Sequence, residues 1–357
     1  MEPVNVALVG IGNCACSLVE GVSLQQLNTG STEMTGVRLP TIGDYGVENL
    51  NFVAAFDITT PKVGADLSQA IRARPNETIA IAPVPALDVT VLRGPTMDGI
   101  SGASASALEE SPQPPIDVVE ALIQAQAEVV VSYLPVGSDE ATEFYADAAV
   151  KAGCALVNCM PTPVATSEIW TERFLRAGLP LVGDDVKSQM GATVLHRALL
   201  RLFRDRGIRL TNSYQLNVGG NGDFLNMSEP ARGLAKERSK VRAIESIVPV
   251  DSELAPMAAS VGYVPGLGDR KSAYIRFEGL TFGSAPVSLD IKLDVWDSPN
   301  SAGVVIDAIR YSKVAMDEGR GGPLKAACAY LMKSPPEQME EEEALNELAK
   351  ISPRRSR

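Results

Sequence analysis

Val4-Asn5-Val6-Ala7-Leu8-Val9-Gly10-Ile11-Gly12-Asn13-Cys14-Ala15 stands almost at the start of the chain, and its reading decides the fold. Val4 to Val9 is a short, mostly apolar run that stops at glycine, the pattern of a buried strand. Cys14 to Val22 then reads as helix. Gly10, Gly12 and Ala15 at this junction spell G-x-G-x-x-A. Gly10 permits a tight turn, Gly12 lets the backbone approach a pyrophosphate, and Ala15 lets helix and strand pack closely. The helix start, with Asn13 and Cys14, faces any anion held there. Glycines also serve as ordinary turn residues, so the motif takes its weight from context. The next buried strand, Phe52 to Phe56, ends at Asp57. A carboxylate there binds the ribose hydroxyls of a dinucleotide and repels a 2′-phosphate, which favours NAD over NADP. Gly10 to Asp57 is far longer than the usual separation of about 20 residues. The Gly-, Thr- and Asn-rich stretch from Leu24 to Leu50, read as an inserted loop, accounts for the excess.

Helix and strand signals then alternate. Pro61 to Arg72 reads as helix, and residues 80–115 as mostly irregular. Helices at Val118 to Gln126, Glu140 to Ala152 and Glu168 to Ala177 separate strands at Val129 to Val131, Ala155 to Asn158 and Leu181 to Val182. Gly191 to Arg206 is a long helix. This alternation implies a parallel, doubly wound sheet. Ser132-Tyr133 ends one of its strands, on the edge where such sheets bind ligands, although Tyr133 reads equally well as a packed aromatic. After residue 200 the pattern changes. Leu210 to Val218, Ala273 to Phe277 and Val287 to Trp296 read as strands of a half-buried antiparallel sheet. Lys236 to Ile247 reads as helix, as do Ala302 to Met316 and Leu324 to Met332. The tail MEEEEALNELAKISPRRSR reads as a charge-rich terminal helix or a frayed end, solvated either way.

Of 357 residues, 45% are hydrophobic and 21% charged, which suits a folded chain of about two domains. Forty-four acids against 32 bases give a net charge of −12. That balance argues against nonspecific nucleic-acid or anionic-membrane binding. No apolar run is long enough to span a bilayer, and the start of the chain lacks a signal-peptide pattern. Five cysteines, an odd number, read as reduced thiols of a cytoplasmic protein. The single histidine, His196, lies in an apolar helical pattern and reads as a helix-face residue. Acid–base chemistry therefore falls to Lys, Asp, Glu or Tyr.

A second candidate site is Gly183-Asp184-Asp185-Val186-Lys187-Ser188-Gln189-Met190-Gly191-Ala192-Thr193. It follows a strand and opens a long helix, so backbone N–H groups and hydroxyls there can hold a phosphate. Lys187 adds charge, and Asp184 or Asp185 can orient it. Ser188 or Thr193 can equally be helix caps. Lys236, Lys240, Lys271 and Lys333 are further candidates; each alone reads as a surface lysine.

Taken together, GIGNCACSLVEG, NFVAAFD, RGPTMDGI, VVSYLPVGS, VGDDVKSQMGAT, QLNVGGNGDFLNM, DRKSAYIRFEG, KLDVWDSPNSAGVVIDAIR and AYLMKSPPEQ resemble the myo-inositol-1-phosphate synthases, in their shorter actinobacterial form. The resemblance covers nearly the whole chain. LNVGGNGDFLNM, DSPNSAG and LMKSPPEQ are far more specific than the glycine fingerprint.

The resemblance implies an α/β fold: a Rossmann-type doubly wound parallel sheet with an inserted α+β catalytic and oligomerisation domain. It divides the chain into residues 1–200 (first part of the NAD-binding domain), 201–300 (catalytic and tetramerisation domain) and 301–357 (helices returning to the first). A homotetramer is implied. The implied reaction turns D-glucose 6-phosphate into 1D-myo-inositol 3-phosphate, the first step of inositol biosynthesis. NAD oxidises C5, the ketone allows enolisation at C6, C6 attacks the C1 aldehyde, and C5 is reduced again. Charge builds on an oxygen at each step, which gives a reason for several lysines in one site. By resemblance, Lys187 exchanges a proton with the C5 oxygen, supported by Asp185, and Lys333 stabilises the C1 oxyanion. Lys240 and Lys271 bind substrate or its developing charge. Ser188, Gln189, Ala192 and Thr193 form a phosphate cradle, and Asn217, Asn221 and Asp223 line the site. Gly10, Gly12, Asn13, Cys14, Ala15, Asp57, Ser132, Tyr133, Asp184, Asp297 and Ser298 contact the cofactor. Asp297 and Ser298 also lie where the family places a cation, a divalent metal or a monovalent ion such as ammonium or potassium, beside the nicotinamide.

The second lysine that eukaryotic members carry shortly after the position of Lys187 is absent here. Residues 97–115 and Val241 to Gly268 depart from the family pattern. Two other functions compete: an NAD-dependent cyclase or dehydrogenase acting on a related sugar phosphate, and a non-catalytic NAD-binding regulator. Assay with glucose 6-phosphate separates the first; the set Lys187, Lys240, Lys271 and Lys333 argues against the second.

Overall fold

A computed structural model describes residues 3–27, 35–100, 108–228 and 258–351. The apolar runs form strands β1 (Val4–Val9), β2 (Leu50–Asp57), β3 (Val91–Arg93), β4 (Val129–Ser132), β5 (Ala155–Asn158) and β6 (Pro180–Val182). They pair in parallel in the order β6-β5-β4-β1-β2-β3. That is the strand order of dinucleotide-binding sheets, with its reversal between β1 and β4. β4 and β5 are buried throughout, because helices cover both faces. One face carries α1 (Asn13–Leu27); the other carries α2 (Val118–Gln124), α3 (Asp139–Ala152) and α4 (Glu168–Ala177).

A second sheet follows α5 (Ala192–Asp205): β7 (Arg209–Gly219), β8 (Ala258–Tyr263), β9 (Arg270–Leu280) and β10 (Pro286–Trp296), in the order β8-β7-β9-β10. Between β7 and β8 lies α6 (Gly222–Met227), capped by Asn221. Leu200 and Phe203 of α5 pack with Ala273, Ile275 and Phe277 of β9, so α5 belongs to the core of this sheet. The chain then returns. α7 (Pro299–Asp317) packs on α1, β11 (Gly322–Pro323) adds to the edge at β6, and α8 (Lys325–Leu331) and α9 (Glu341–Ile351) follow. Both ends of the chain therefore build the first sheet.

Several local expectations change. Of Pro61 to Arg72 only Leu67–Ala70 is helical, since Gly64 takes a left-handed φ of 87° and Asp66 caps the helix instead. Val91–Arg93 is a strand within the stretch read as irregular. The stretch read as an inserted loop begins with the last turn of α1 and holds a small hairpin at 41–46. Fully buried Arg310 of α7 fixes it by donating to Pro40 O at 2.9 Å and Leu39 O at 3.0 Å. The second sheet is mixed, because β8 runs parallel to β7. The helix expected at Lys236 to Ile247 lies outside the described residues. His196 is buried in α5 against Phe277 and Ser213, as a helix residue facing apolar surroundings should be.

Candidate functional site

Gly10 follows β1 at the reversal point of the sheet. Its φ is 85°, and a Cβ there would lie 2.7 Å from Tyr133 O. Tyr133 N in turn donates to Val9 O at 2.8 Å. The two strand ends thus come together with no room for a side chain, as the fingerprint requires. The Ser132 and Tyr133 hydroxyls are buried there with no hydrogen-bond partner among the described residues. We expect Gly10→Ala to weaken dinucleotide binding about tenfold and to lower the melting temperature. The strained φ alone costs about 1–2 kcal/mol. Isothermal titration and a thermal melt check both; unchanged affinity would show that the loop does not approach the ligand.

Asp57 does not offer its carboxylate freely at this edge. It accepts from Ile11 N at 2.9 Å, Ile58 N at 2.8 Å, and Thr59 N and Oγ1 at 2.9 and 2.8 Å, with Lys62 Nζ at 3.6 Å. Burial pulls its pKa up, but Lys62 and the hydrogen bonds from Thr59 and Ile11 outweigh it and hold the group below the usual range. Its visible work is to brace the glycine loop. Cys14 sits at the start of α1 near Ser298 and Ser301. Burial, with Asp269 nearby, pushes its thiol up to about 12, so it is not a thiolate. None of the five cysteines forms a disulfide.

The lysines meet through a backbone zip. Asp184 N and Ser334 N exchange hydrogen bonds with Ser334 O and Asp184 O at 3.0 Å each. Lys333 N donates to Asp185 O at 2.7 Å and Lys187 N to Leu331 O at 2.9 Å. Asp185 N also donates to Met160 O, just beyond β5. The zip therefore stands on the same carboxyl edge of the sheet as the glycine loop.

Lys333 Nζ pairs with Asp185 Oδ1 at 2.8 Å, whereas the resemblance assigns Asp185 to Lys187. Asp185 is fully buried and holds a left-handed φ of 62°. Lys187 is buried too, and its Nζ donates to Ala329 O at 2.5 Å and Tyr330 O at 3.3 Å. Burial first, then the nearby Arg197 and Lys333 charges, lower its pKa to about 7 despite Glu341.

Asp184 is committed elsewhere. Its carboxylate accepts from Asn158 Nδ2, Val164 N, Ala165 N, Thr166 N and Thr166 Oγ1 and fixes the loop after β5. Burial raises its pKa to about 6 against those bonds.

Ser188, Gly191, Ala192, Lys271 and Asn300 line one narrow cleft at the start of α5. Thr193 is buried in the first turn of α5, and Gln189 Nε2 donates to Gly36 O at 2.5 Å. Lys271 Nζ lies 3.0 Å from Asp297 Oδ1 and 5.8 Å from the centre of the Phe224 ring. Asn221 caps α6 by accepting from Asp223 N and Phe224 N. Asn217 is buried on β7, where its Nδ2 donates to Gln215 Oε1 at 3.4 Å. Lys240 lies outside the described residues.

Three residues that sequence reasoning passed over help to build these surroundings. Asn300 takes Met190 N on its Oδ1 and donates from Nδ2 to Met190 O, fixing the loop before α5. Arg197 is buried near Lys187. Asp269 is buried between Asn13, Asn221 and Ser298. Its place beside Lys271 in Gly268-Asp269-Arg270-Lys271 was the available signal.

Among the described residues no helix is long and apolar enough to cross a membrane. The sequence profile of the myo-inositol-1-phosphate synthases matches residues 191–298. The inositol-3-phosphate synthase of Mycolicibacterium smegmatis is 51% identical over 350 residues, covering 97% of this chain and 96% of that one. The crystal structure of Ari2 is 36% identical, covers 98% of each chain and superposes with a TM-score of 0.80. The inositol-3-phosphate synthase of Caenorhabditis elegans shares the fold, with a TM-score of 0.78 at 16% identity over 98% of this chain and 85% of that one. Identity at half of the positions over 97% of the chain carries the assignment: the chain belongs to the myo-inositol-1-phosphate synthase family.

Proposed function

We propose that this enzyme, an intramolecular isomerase of the inositol-3-phosphate synthase class, cyclises D-glucose 6-phosphate to 1D-myo-inositol 3-phosphate with bound NAD. The observation that carries the reading is the zip between residues 184–187 and 331–334, which sets buried Lys187 and half-buried Lys333 beside the carboxyl edge of a dinucleotide-binding sheet. The residues at the reversal point fit the cofactor. The glycine loop leaves no room for a Cβ at Gly10, Ser132 and Tyr133 keep unpartnered hydroxyls, and the start of α1 brings Asn13 and Cys14. Gly12 continues that loop, and Ala15, fully buried, lets α1 pack on the sheet. NAD bound there supplies a hydride acceptor for C5 of the sugar and the donor that restores it.

The chain's own groups do the rest. Lys187, with its pKa near 7, accepts and returns the proton of the C5 hydroxyl near neutral pH. Lys333 holds the negative charge that grows on the C1 oxygen during ring closure, and Asp185 aims its ammonium. The start of α5, with Ser188, Gln189, Ala192 and Thr193, receives the phosphate. Lys271 and Asn217 from the second sheet, and Asn221 and Asp223 at the start of α6, bind the sugar; Lys240, outside the described residues, joins them by resemblance alone. The cation expected at Asp297 and Ser298 would join the Lys271 ammonium already paired with Asp297. A homotetramer in the cytoplasm completes the reading.

Incubation with glucose 6-phosphate and catalytic NAD tests it. Inositol phosphate should form with no net NADH. NADH released in step with substrate, without a cyclic product, would make the enzyme a dehydrogenase.

A further inference from the structure

We propose that Asp269 is the positioning residue that registers the lysine-bearing sheet against the glycine loop. It immediately precedes β9 and is fully buried. Its Oδ1 accepts from Ser298 Oγ at 2.8 Å, Asn221 Nδ2 at 3.0 Å and Asn13 Nδ2 at 3.4 Å. Its Oδ2 accepts from Ser298 N at 3.3 Å. The backbone carbonyl of the same residue accepts from Asp297 N at 2.9 Å.

These donors come from separate parts of the chain. Asn13 opens α1 on the glycine loop, and its own Oδ1 accepts from Glu77 N at 2.7 Å. Asn221 caps α6, and Ser298 leads into α7. One carboxylate therefore ties the start of the cofactor helix to two elements of the substrate side. It also sets the Asp297–Ser298 turn, and Asp297 in turn holds Lys271 Nζ. Lys271 thus receives its position from Asp269 twice: along β9, two residues away, and through the turn that carries its ion-pair partner.

A carboxylate suits this place because every group hydrogen-bonded to it donates. An amide of the same shape would turn an N–H toward those donors, so Asp269→Asn tests the chemistry at constant volume. The turnover arm of the test rests on the reading of Lys271 as an active-site lysine.

Turnover on glucose 6-phosphate, NAD affinity by titration and thermal melting are measured for the unmodified enzyme, Asp269→Asn, Lys271→Met and the double variant. We expect Asp269→Asn to weaken NAD about tenfold, in either background, and to lower kcat about tenfold on its own. In the Lys271→Met background it should lower kcat no further, because the lysine it places is gone. Multiplying kcat losses, or unchanged NAD affinity, would overturn the proposal. A residue that only holds the fold would shift melting and give multiplying losses. If Asp269→Asn does not fold, Ser298→Ala removes the shortest of the donors and carries the same two expectations at several-fold size, with the same two overturning results. An unmodified enzyme inactive on glucose 6-phosphate would sink the synthase reading and leave the NAD arm standing.

Discussion

Lys187→Met is expected to lower turnover about a thousandfold, within the range for loss of a general acid–base. Methionine keeps the volume of the buried stem, so the loss would report the amine and not a cavity. The amine suits the task because its pKa is brought down to about 7 by burial and by the Arg197 and Lys333 charges. It can then accept a proton near neutrality. In the unmodified enzyme, kcat/KM should rise with pH through about 7, as the ammonium form gives way to the free base. The same group leaves a mark on stability. Its pKa is lower folded than unfolded, so the unfolded chain binds more protons between about 7 and the ordinary lysine value. Stability from this group is present above the unfolded value and is lost as pH falls through about 7. Lys187→Met should flatten that slope in thermal melts across the pH range. It leaves Ala329 O and Tyr330 O without their donor, which offsets part of the gain. Near-normal turnover would place the proton transfer on another residue.

The sequence shows the dinucleotide half of the site because its signals are local. A strand, a glycine with a left-handed φ and a helix start within a dozen residues define Gly10 without tertiary knowledge. Lys187 and Lys333 are different. Only the zip between 184–187 and 331–334 joins them, and no periodicity in either segment announces it. Family resemblance supplied that pairing where spacing could not. Carboxylates are the hardest to read, since tertiary partners decide their use. Asp57 braces a loop with donors from Ile58, Thr59 and Ile11, Asp184 spends its oxygens on residues 158–166, and Asp269 collects donors from three segments. Asp184 and Asp269 each follow a glycine, and nothing local separates their uses. The parallel β8 was unreadable for the same reason: strand direction is set by the connection, not by the strand's own residues.

Lys333→Met should lower turnover about 10²–10³-fold, the usual cost of losing one group that stabilises a developing oxyanion. It should also lower stability, because Asp185 is fully buried and loses its ammonium partner. Breaking one side of such a pair costs about 3–5 kcal/mol. A loss of activity alone would therefore be ambiguous between a charge aimed at substrate and a charge that merely neutralises Asp185. The double variant Lys333→Met with Asp185→Asn separates them. Asparagine tolerates the left-handed backbone at this position, so the second change adds little strain. It removes the buried charge, and melting temperature should recover toward that of the unmodified enzyme. Turnover should not recover, because the C1 oxygen still lacks a cation. Recovery of turnover together with stability would show that Lys333 serves only Asp185, and would move oxyanion stabilisation to another cation, with Lys271 next in line beside the cleft at Ser188 and Ala192.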